Sequence, residues 1–349
     1  MTKRTGIVKG NIFLTHIPGE GCPDTPERLQ SIYSMLTDPD MQDIFVDVLP
    51  QRAAKEDILL FHTHEYVEKI AETKGKSLIA FTGDTHASEN TFEAALHATG
   101  GLLNAISLVA AKKIENAFAL IRPPGHHAEK SRAMGYCLFN HVVLGAMFAQ
   151  ERLKLGRILI IDWDIHHGNG TQHAFQRDPT VLFFSVHQAG LFPGTGSFTD
   201  TGSGAGEGYT INLPIPKGSG DAEYAAIFEQ LLAPVAEQFA PELILVSAGF
   251  DIHSDDPMGG MRLTAEGFAA MTASIKKIAD TVCNGKFVMS LEGGYHCDAL
   301  SGSVKAVLKE MAGVTHCDVS AMAAKADKKK MAFIVRRCID VHKHSWNFS

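Results

Sequence analysis

Residues 157–170 read R-I-L-I-I-D-W-D-I-H-H-G-N-G. An apolar run ends at Asp162, and Asp164 and His166 follow at two-residue spacing. Side chains alternate across a strand, so Asp162, Asp164 and His166 face one side while Trp163 and Ile165 face the other. Two carboxylates and an imidazole on one face repel or desolvate each other unless positive charge sits among them. A divalent cation is the simplest answer. The run is apolar on both faces, as in a strand of a parallel sheet covered on both sides by helices.

The same pattern recurs along the chain. Apolar strands are predicted at Ala117–Ile121, Arg157–Asp162, Val181–Val186, Leu243–Ser247 and Phe287–Leu291. Amphipathic segments between and around them predict helices at Thr25–Leu36, Glu56–Thr73, Ser88–Ala111, Cys137–Leu155, Ala222–Phe239, Ala265–Cys283 and Ala299–Met311. The alternation implies an α/β fold, a single domain built on one parallel sheet sandwiched between helices. Each strand runs into polar or glycine-rich sequence: His126-His127, then Asp162 to His166, then Ser185 and His187, then Gly249-Phe250-Asp251, then Glu292 to Tyr295. In a parallel sheet all carboxyl ends lie along one edge, where open α/β sheets bind ligands. Any one of these could be an ordinary loop, but coincidence is a poor account of five. In Arg122 to Ala128, two prolines exclude a helix interior and Gly125 permits a sharp turn. His126 and His127 taken alone are as readily a pair of solvated loop histidines as a functional pair.

Composition narrows the class. The 349 residues are 45% hydrophobic, enough for a large core, and the net charge is −7 with acids and bases interspersed. Nothing suggests a nucleic-acid surface; the one basic cluster, Lys325 to Lys330, reads as a solvated helix end. Six scattered cysteines show no C-x-x-C spacing, which argues against a zinc–thiolate site or a disulfide framework. The basic Met1–Arg4 start lacks a following apolar run, and no stretch approaches the length of a membrane span, so a soluble, cytoplasmic protein is expected. The segment from Gly190 to Gly208 holds seven glycines, a long functional or mobile loop.

Taken in order, P-G-H-H-A, D-W-D-I-H-H-G-N-G-T-Q, L-F-P-G-T-G, G-F-D-x4-D-P-M-G-G and E-G-G-Y resemble the zinc-dependent histone deacetylase family. The wording is more similar to its class II and bacterial deacetylase-like branch than to class I. The resemblance runs from about Cys22 to about Ala312 and implies an arginase/deacetylase-type fold. The deacetylase core would span about 12–312, with a C-terminal helical extension over about 313–349. It implies a zinc site on Asp164, His166 and Asp251, in agreement with the residue reading, since a catalytic zinc keeps three protein ligands and an open place. Asp251 taken alone would more often be a helix N-cap.

The resemblance also implies roles around the metal. His127 matches the base that takes a proton from water and returns it to the leaving amine. His126 matches its charge-stabilising neighbour, and Tyr295 the residue that polarises the acyl carbonyl. Asp162 would hold His126. Asn169 would hold His127, where many relatives carry aspartate, so His127 would be a weaker base here. A structural potassium would use Asp162, Asp164, His166, Ser185 and Val186, and a second site would use Phe175, Asp178, Val181 and Tyr209.

The resemblance implies substrate-binding positions at Tyr136 and Phe192 as tunnel walls, with Gly135, Met258, Gly293 and Gly294. Flat walls suit the aliphatic stem of lysine. Many relatives have phenylalanine at Tyr136. Polyamine-specific relatives place an acid near Met258, and Cys22 stands where histidine often precedes proline. Cys137 reads as a small core hydrophobe. The implied reaction is zinc-dependent hydrolysis of an acetyl-lysine amide in a protein or peptide. The alternative is an acetylpolyamine or another small acylated amine. A catalytically silent binding module would lack a ligand or the tyrosine, and a two-metal ureohydrolase of the same fold type would need a second ligand set. No membrane or direct nucleic-acid partner is expected, and a homo-oligomer is compatible with the C-terminal segment Ala323–Ser349.

Overall fold

The structure, a computed structural model, describes residues 5–348; the Met1–Arg4 start lies outside them. Among the described residues ten strands form: β1 (Thr5–Val8), β2 (Phe45–Val48), β3 (Ile79–Ala80), β4 (His86–Ala87), β5 (Asn116–Ala119), β6 (Ile158–Asp162), β7 (Val181–Gln188), β8 (Thr210–Ile215), β9 (Leu243–Ala248) and β10 (Phe287–Leu291). Eight make one sheet in the order β2-β1-β5-β10-β9-β6-β7-β8, and β3 and β4 make a small antiparallel hairpin. Every pairing in the large sheet is parallel.

The five strands expected from sequence are the five adjacent central ones, β5, β10, β9, β6 and β7. Their residues are buried throughout, which is why they are apolar on both faces. The hairpin strands β3 and β4 were not expected, and the three missed strands of the large sheet lie toward its edges, where the pattern weakens. β2 carries exposed Asp47, β1 is only four residues long, and β8 contains Pro214, which an edge strand tolerates because it need not donate on its outer side.

Several helices differ from the expected spans for local reasons. The predicted Glu56–Thr73 helix is two, Lys55–Ile58 and His64–Ala71, because Thr63 caps the second by accepting from the Tyr66 N–H. The predicted Cys137 start slips to His141, where Asn140 caps through Val143. The helical stretch Asp221–Phe239 contains a π turn at Phe228–Leu232, a wider turn that relieves the clash of Pro234 with the preceding carbonyls. A short helix over Asn169–Phe175 follows the histidine motif and was not expected. The Lys325–Lys330 cluster is a helix start: Asp327 accepts from the N–H groups of Lys329 and Lys330, and the helix Lys328–His342 follows. Beyond residue 312 the chain packs on its own body. Trp346 donates to the Gly208 carbonyl at 2.7 Å and its ring meets Tyr209 and Phe239. Among the described residues no helix is long and apolar enough to cross a membrane.

Candidate metal and catalytic site

The carboxyl ends of the central strands are in register. Asp162 on β6 pairs with Ser185 on β7 and Ser247 on β9, and Ala248 on β9 pairs with Leu291 on β10. The residues just beyond these positions therefore converge. One ligand atom from each of Asp164, His166 and Asp251 lies within 4.8 Å of the others, and all three residues are buried. His166 Nδ1 is 3.2 Å from Asp164 Oδ1 and 3.3 Å from Asp251 Oδ2. The edge of a tetrahedron around an ion with bonds of about 2.0–2.1 Å is about 3.3–3.4 Å, so the spacing suits zinc.

The remaining oxygens of this cluster are committed. Asp164 Oδ2 accepts from the Gly293 N–H at 2.9 Å and Asp251 Oδ1 from the Ile165 N–H at 2.9 Å. Asp251 Oδ2 has no hydrogen-bond partner although it is buried. Burial first and the Asp164 charge second push the Asp251 carboxyl up to about 7. A buried, unpartnered carboxylate oxygen beside a second carboxylate is the condition a divalent cation satisfies. Gly293 allows the approach: a Cβ there would stand 2.3 Å from Asp251 Oδ2.

The two histidines of the turn are buried, which removes the reading of solvated loop residues. Glu292 ties the turn down. Its Oε2 accepts from the Gly125 and His126 N–H groups at 2.7 and 3.2 Å, and its Oε1 accepts from the Ser247 hydroxyl at 3.0 Å. His126 Nδ1 lies 3.0 Å from Asp162 Oδ2, and His127 Nδ1 lies 2.8 Å from Asn169 Oδ1. The rings sit 4.0 Å apart yet titrate in opposite senses. Burial works against the charged form of His126, but Asp162 and Asp164 outweigh it and hold the ring up to about 10. Burial, then the neighbouring His126 and His166, push His127 well below its usual value. Opposed shifts in adjacent groups favour the cationic form of His126 and the neutral form of His127.

A cavity of about 220 Å³ opens over these groups. Gly135, Tyr136, Phe192, Met258, Gly293 and Tyr295 line it with His126, His127 and His166. Gly294 sits outside that lining; its backbone, at φ +115, turns against Phe250. Residues for which the resemblance implies monovalent cations lie along β6, β7 and the turn before β7. Asp162 and Ser185 are neighbours across β6 and β7, with Val186 next along. Phe175, Asp178 and Val181 share one turn, the Phe175 carbonyl accepting from Asp178 and the Asp178 carbonyl from Val181, while Tyr209 accepts from Phe183 on β7. Cys137 is buried and its thiol is pushed well up by burial, as a core thiol should be.

Sequence reasoning missed the residues that hold the tyrosine. Arg28 is fully buried, donates to the carbonyls of Glu292 and Gly294 at 2.5 Å each, and sets its guanidinium 4.8 Å from the Tyr295 ring centroid. Buried Asp24 bridges Arg28 and Arg122 at 2.5 and 2.7 Å. Asp256 accepts from the Tyr295 N–H at 2.6 Å and from the Met258 N–H at 3.0 Å, linking rim and floor. The signal for Asp24 and Arg28 was C-P-D-T-P-E-R-L, whose charges fall on one helix start and point inward only because the fold closes over them.

The family model for the histone deacetylase domain matches residues 22–311. A probable deacetylase of Archaeoglobus fulgidus is 41% identical over 315 residues, 88% of this chain and 86% of that protein. The chloroplastic histone deacetylase 10 of Oryza sativa subsp. japonica is 41% identical over 84% of this chain and 69% of its own length. The polyamine deacetylase HDAC10 of Danio rerio is 38% identical over 83% of this chain and 44% of its own. The crystal structure of the HDA15 HD domain superposes with a TM-score of 0.92 at 32% identity, covering 99% of this chain and 96% of that one.

Proposed function

Since the chain belongs to the histone deacetylase family and is a hydrolytic deacetylase, we propose that it hydrolyses the acyl amide of an N-ε-acetyl-lysine side chain and that its metal is zinc. One juxtaposition carries the reading: His166, which gathers with Asp164 and Asp251, lines one cavity with His127 and Tyr295. A zinc ion held by Asp164, His166 and Asp251 would supply a Lewis acid that acidifies water and polarises the acyl carbonyl.

The protein groups do the rest. Tyr136 and Phe192 flank the aliphatic stem and let its acylated end reach the floor. His127, with Nδ1 engaged by Asn169, takes the water proton at Nε2. The water oxygen bonds to the acyl carbon, and the Tyr295 hydroxyl donates to the oxygen that gains charge. Burial first raises that hydroxyl well above its usual value, so it stays a donor. The C–N bond breaks as His127 returns the proton to nitrogen, giving acetate and the free amine. His126, held as a cation beside Asp162, offsets the developing negative charge. Structural potassium is proposed at Asp162, Asp164, His166, Ser185 and Val186, with a second ion among Phe175, Asp178, Val181 and Tyr209.

A small acylated amine is the second reading, and the observation in its favour is Asp84, an acid on the cavity wall. Its oxygens are already engaged by the Thr82 and Thr85 hydroxyls and the Gly135 N–H, which favours lysine. The test is a panel of acetyl-lysine peptides and acetylspermidine, each assayed with chelator and after zinc is restored. Peptide turnover that chelator abolishes and zinc restores is expected. Turnover of acetylspermidine alone would overturn the lysine assignment, and turnover indifferent to chelator would overturn the metal.

A further inference from the structure

Asn169 opens the short helix Asn169–Phe175 and presents Oδ1 to His127 Nδ1 at 2.8 Å. An amide in this position is ambiguous where a carboxylate is not. With its oxygen toward the ring, Nδ1 carries the proton and Nε2 keeps its lone pair. With its nitrogen toward the ring, the tautomer reverses and Nε2 cannot accept a proton. Something must fix the amide.

The far side of Asn169 holds only acceptors. Its Nδ2 donates to Glu129 Oε1 at 2.5 Å and reaches the His127 carbonyl and the Met134 sulfur at 3.4 Å each. The short, charged contact is the one to Glu129. The same Glu129 oxygen takes His173 Nδ1 at 2.8 Å. Asn169 and His173 are four residues apart on one helix, so they share a face and grip one carboxylate between them. Glu129 is 22% exposed and His173 43%, so the chain of bonds runs from the buried His127 to the surface. A charge-assisted bond at Nδ2 also polarises the amide and makes Oδ1 a better acceptor.

We propose that Glu129 is a positioning residue: it fixes the Asn169 amide with Oδ1 toward His127 and thereby keeps the His127 proton on Nδ1 and Nε2 open to water. This rests on His127 being the base.

The test uses the zinc-loaded enzyme. Glu129→Ala is expected to lower kcat about 10-fold to 100-fold with KM little changed, the range for loss of a partner that orients a histidine. Glu129→Gln, which keeps the acceptor, restores most of the loss. In an Asn169→Asp background no amide needs orienting and two carboxylates would face each other, so Glu129→Ala there leaves kcat unchanged or raises it. An equal fold-loss in both backgrounds would assign Glu129 a merely structural role and overturn the proposal. Nitrogen-15 spectra of the histidines, with the His127 signals identified by their loss in His127→Ala, read the tautomer directly. Glu129→Ala should move His127 away from the Nδ1–H form, and an unchanged tautomer would also overturn the proposal. Turnover surviving in His127→Ala would instead remove the base reading, while the spectra still report whether Glu129 sets the tautomer.

Discussion

His166 Nδ1 approaches Asp251 Oδ2 to 3.3 Å, and that oxygen accepts no hydrogen bond. Proximity without a bond is the geometry of two groups that share a third atom, and it leads to the first prediction. Asp251→Ala loses zinc, measured as metal per chain by elemental analysis after gel filtration. Wild type should hold close to one zinc ion, and an undiminished content in the variant would remove Asp251 from the ligand set.

Tyr295→Phe should keep its zinc and its melting temperature yet lose roughly 10²-fold to 10³-fold in kcat, the range for removal of one donor to a developing oxyanion. Steady-state kinetics on an acetyl-lysine peptide measure it. Wild-type kcat in this variant would contradict the assigned donor.

Arg28 and Arg122 both grip buried Asp24, and Arg28 also holds two carbonyls of the E-G-G-Y turn. Arg28→Met leaves Asp24 with one cation fewer and should cost about 3–5 kcal/mol of stability. Urea denaturation reads this as a lower midpoint. A midpoint within error of wild type would show that Arg122 alone neutralises the site.

His342 is buried with neither ring nitrogen partnered, and burial lowers it to about 4. Below about pH 6.5 the unfolded chain binds a proton here that the folded chain refuses. Stability is therefore lost as pH falls from about 6.5 to about 4, by roughly 3 kcal/mol at this one residue. His342→Leu should flatten that part of the profile, so that its melting temperature exceeds that of wild type more at pH 5 than at pH 7.5. An equal difference at both values would refute the linkage.

Much of this site was legible in the chain because each piece follows a strand buried on both faces. β6 leads to Asp164 and His166, β9 to Asp251, β10 to Tyr295, and β5 to the paired histidines. Apolar runs are the strongest local signal, and the chemistry rides at their carboxyl ends. The edge strands were illegible for the same reason: β2 and β8 are half polar or broken by proline, and their place in the sheet comes from pairing with a neighbour.

The groups that tune the site were not legible. Glu129 and His173, and likewise Asp24, Arg28 and Asp256, are ordinary polar residues in the sequence, and nothing in their spacing points inward. Only closure of the sheet and its covering helices brings Arg28 to the Gly294 carbonyl, 266 residues away, and Glu129 to Asn169, 40 residues away. Periodicity and strand polarity are local, so the linear chain already specifies the parallel sheet and the residues at its ends. The tertiary structure alone decided which nitrogen faces which oxygen and how His126 and His127 part in charge, because burial and hydrogen-bond direction belong to the closed fold.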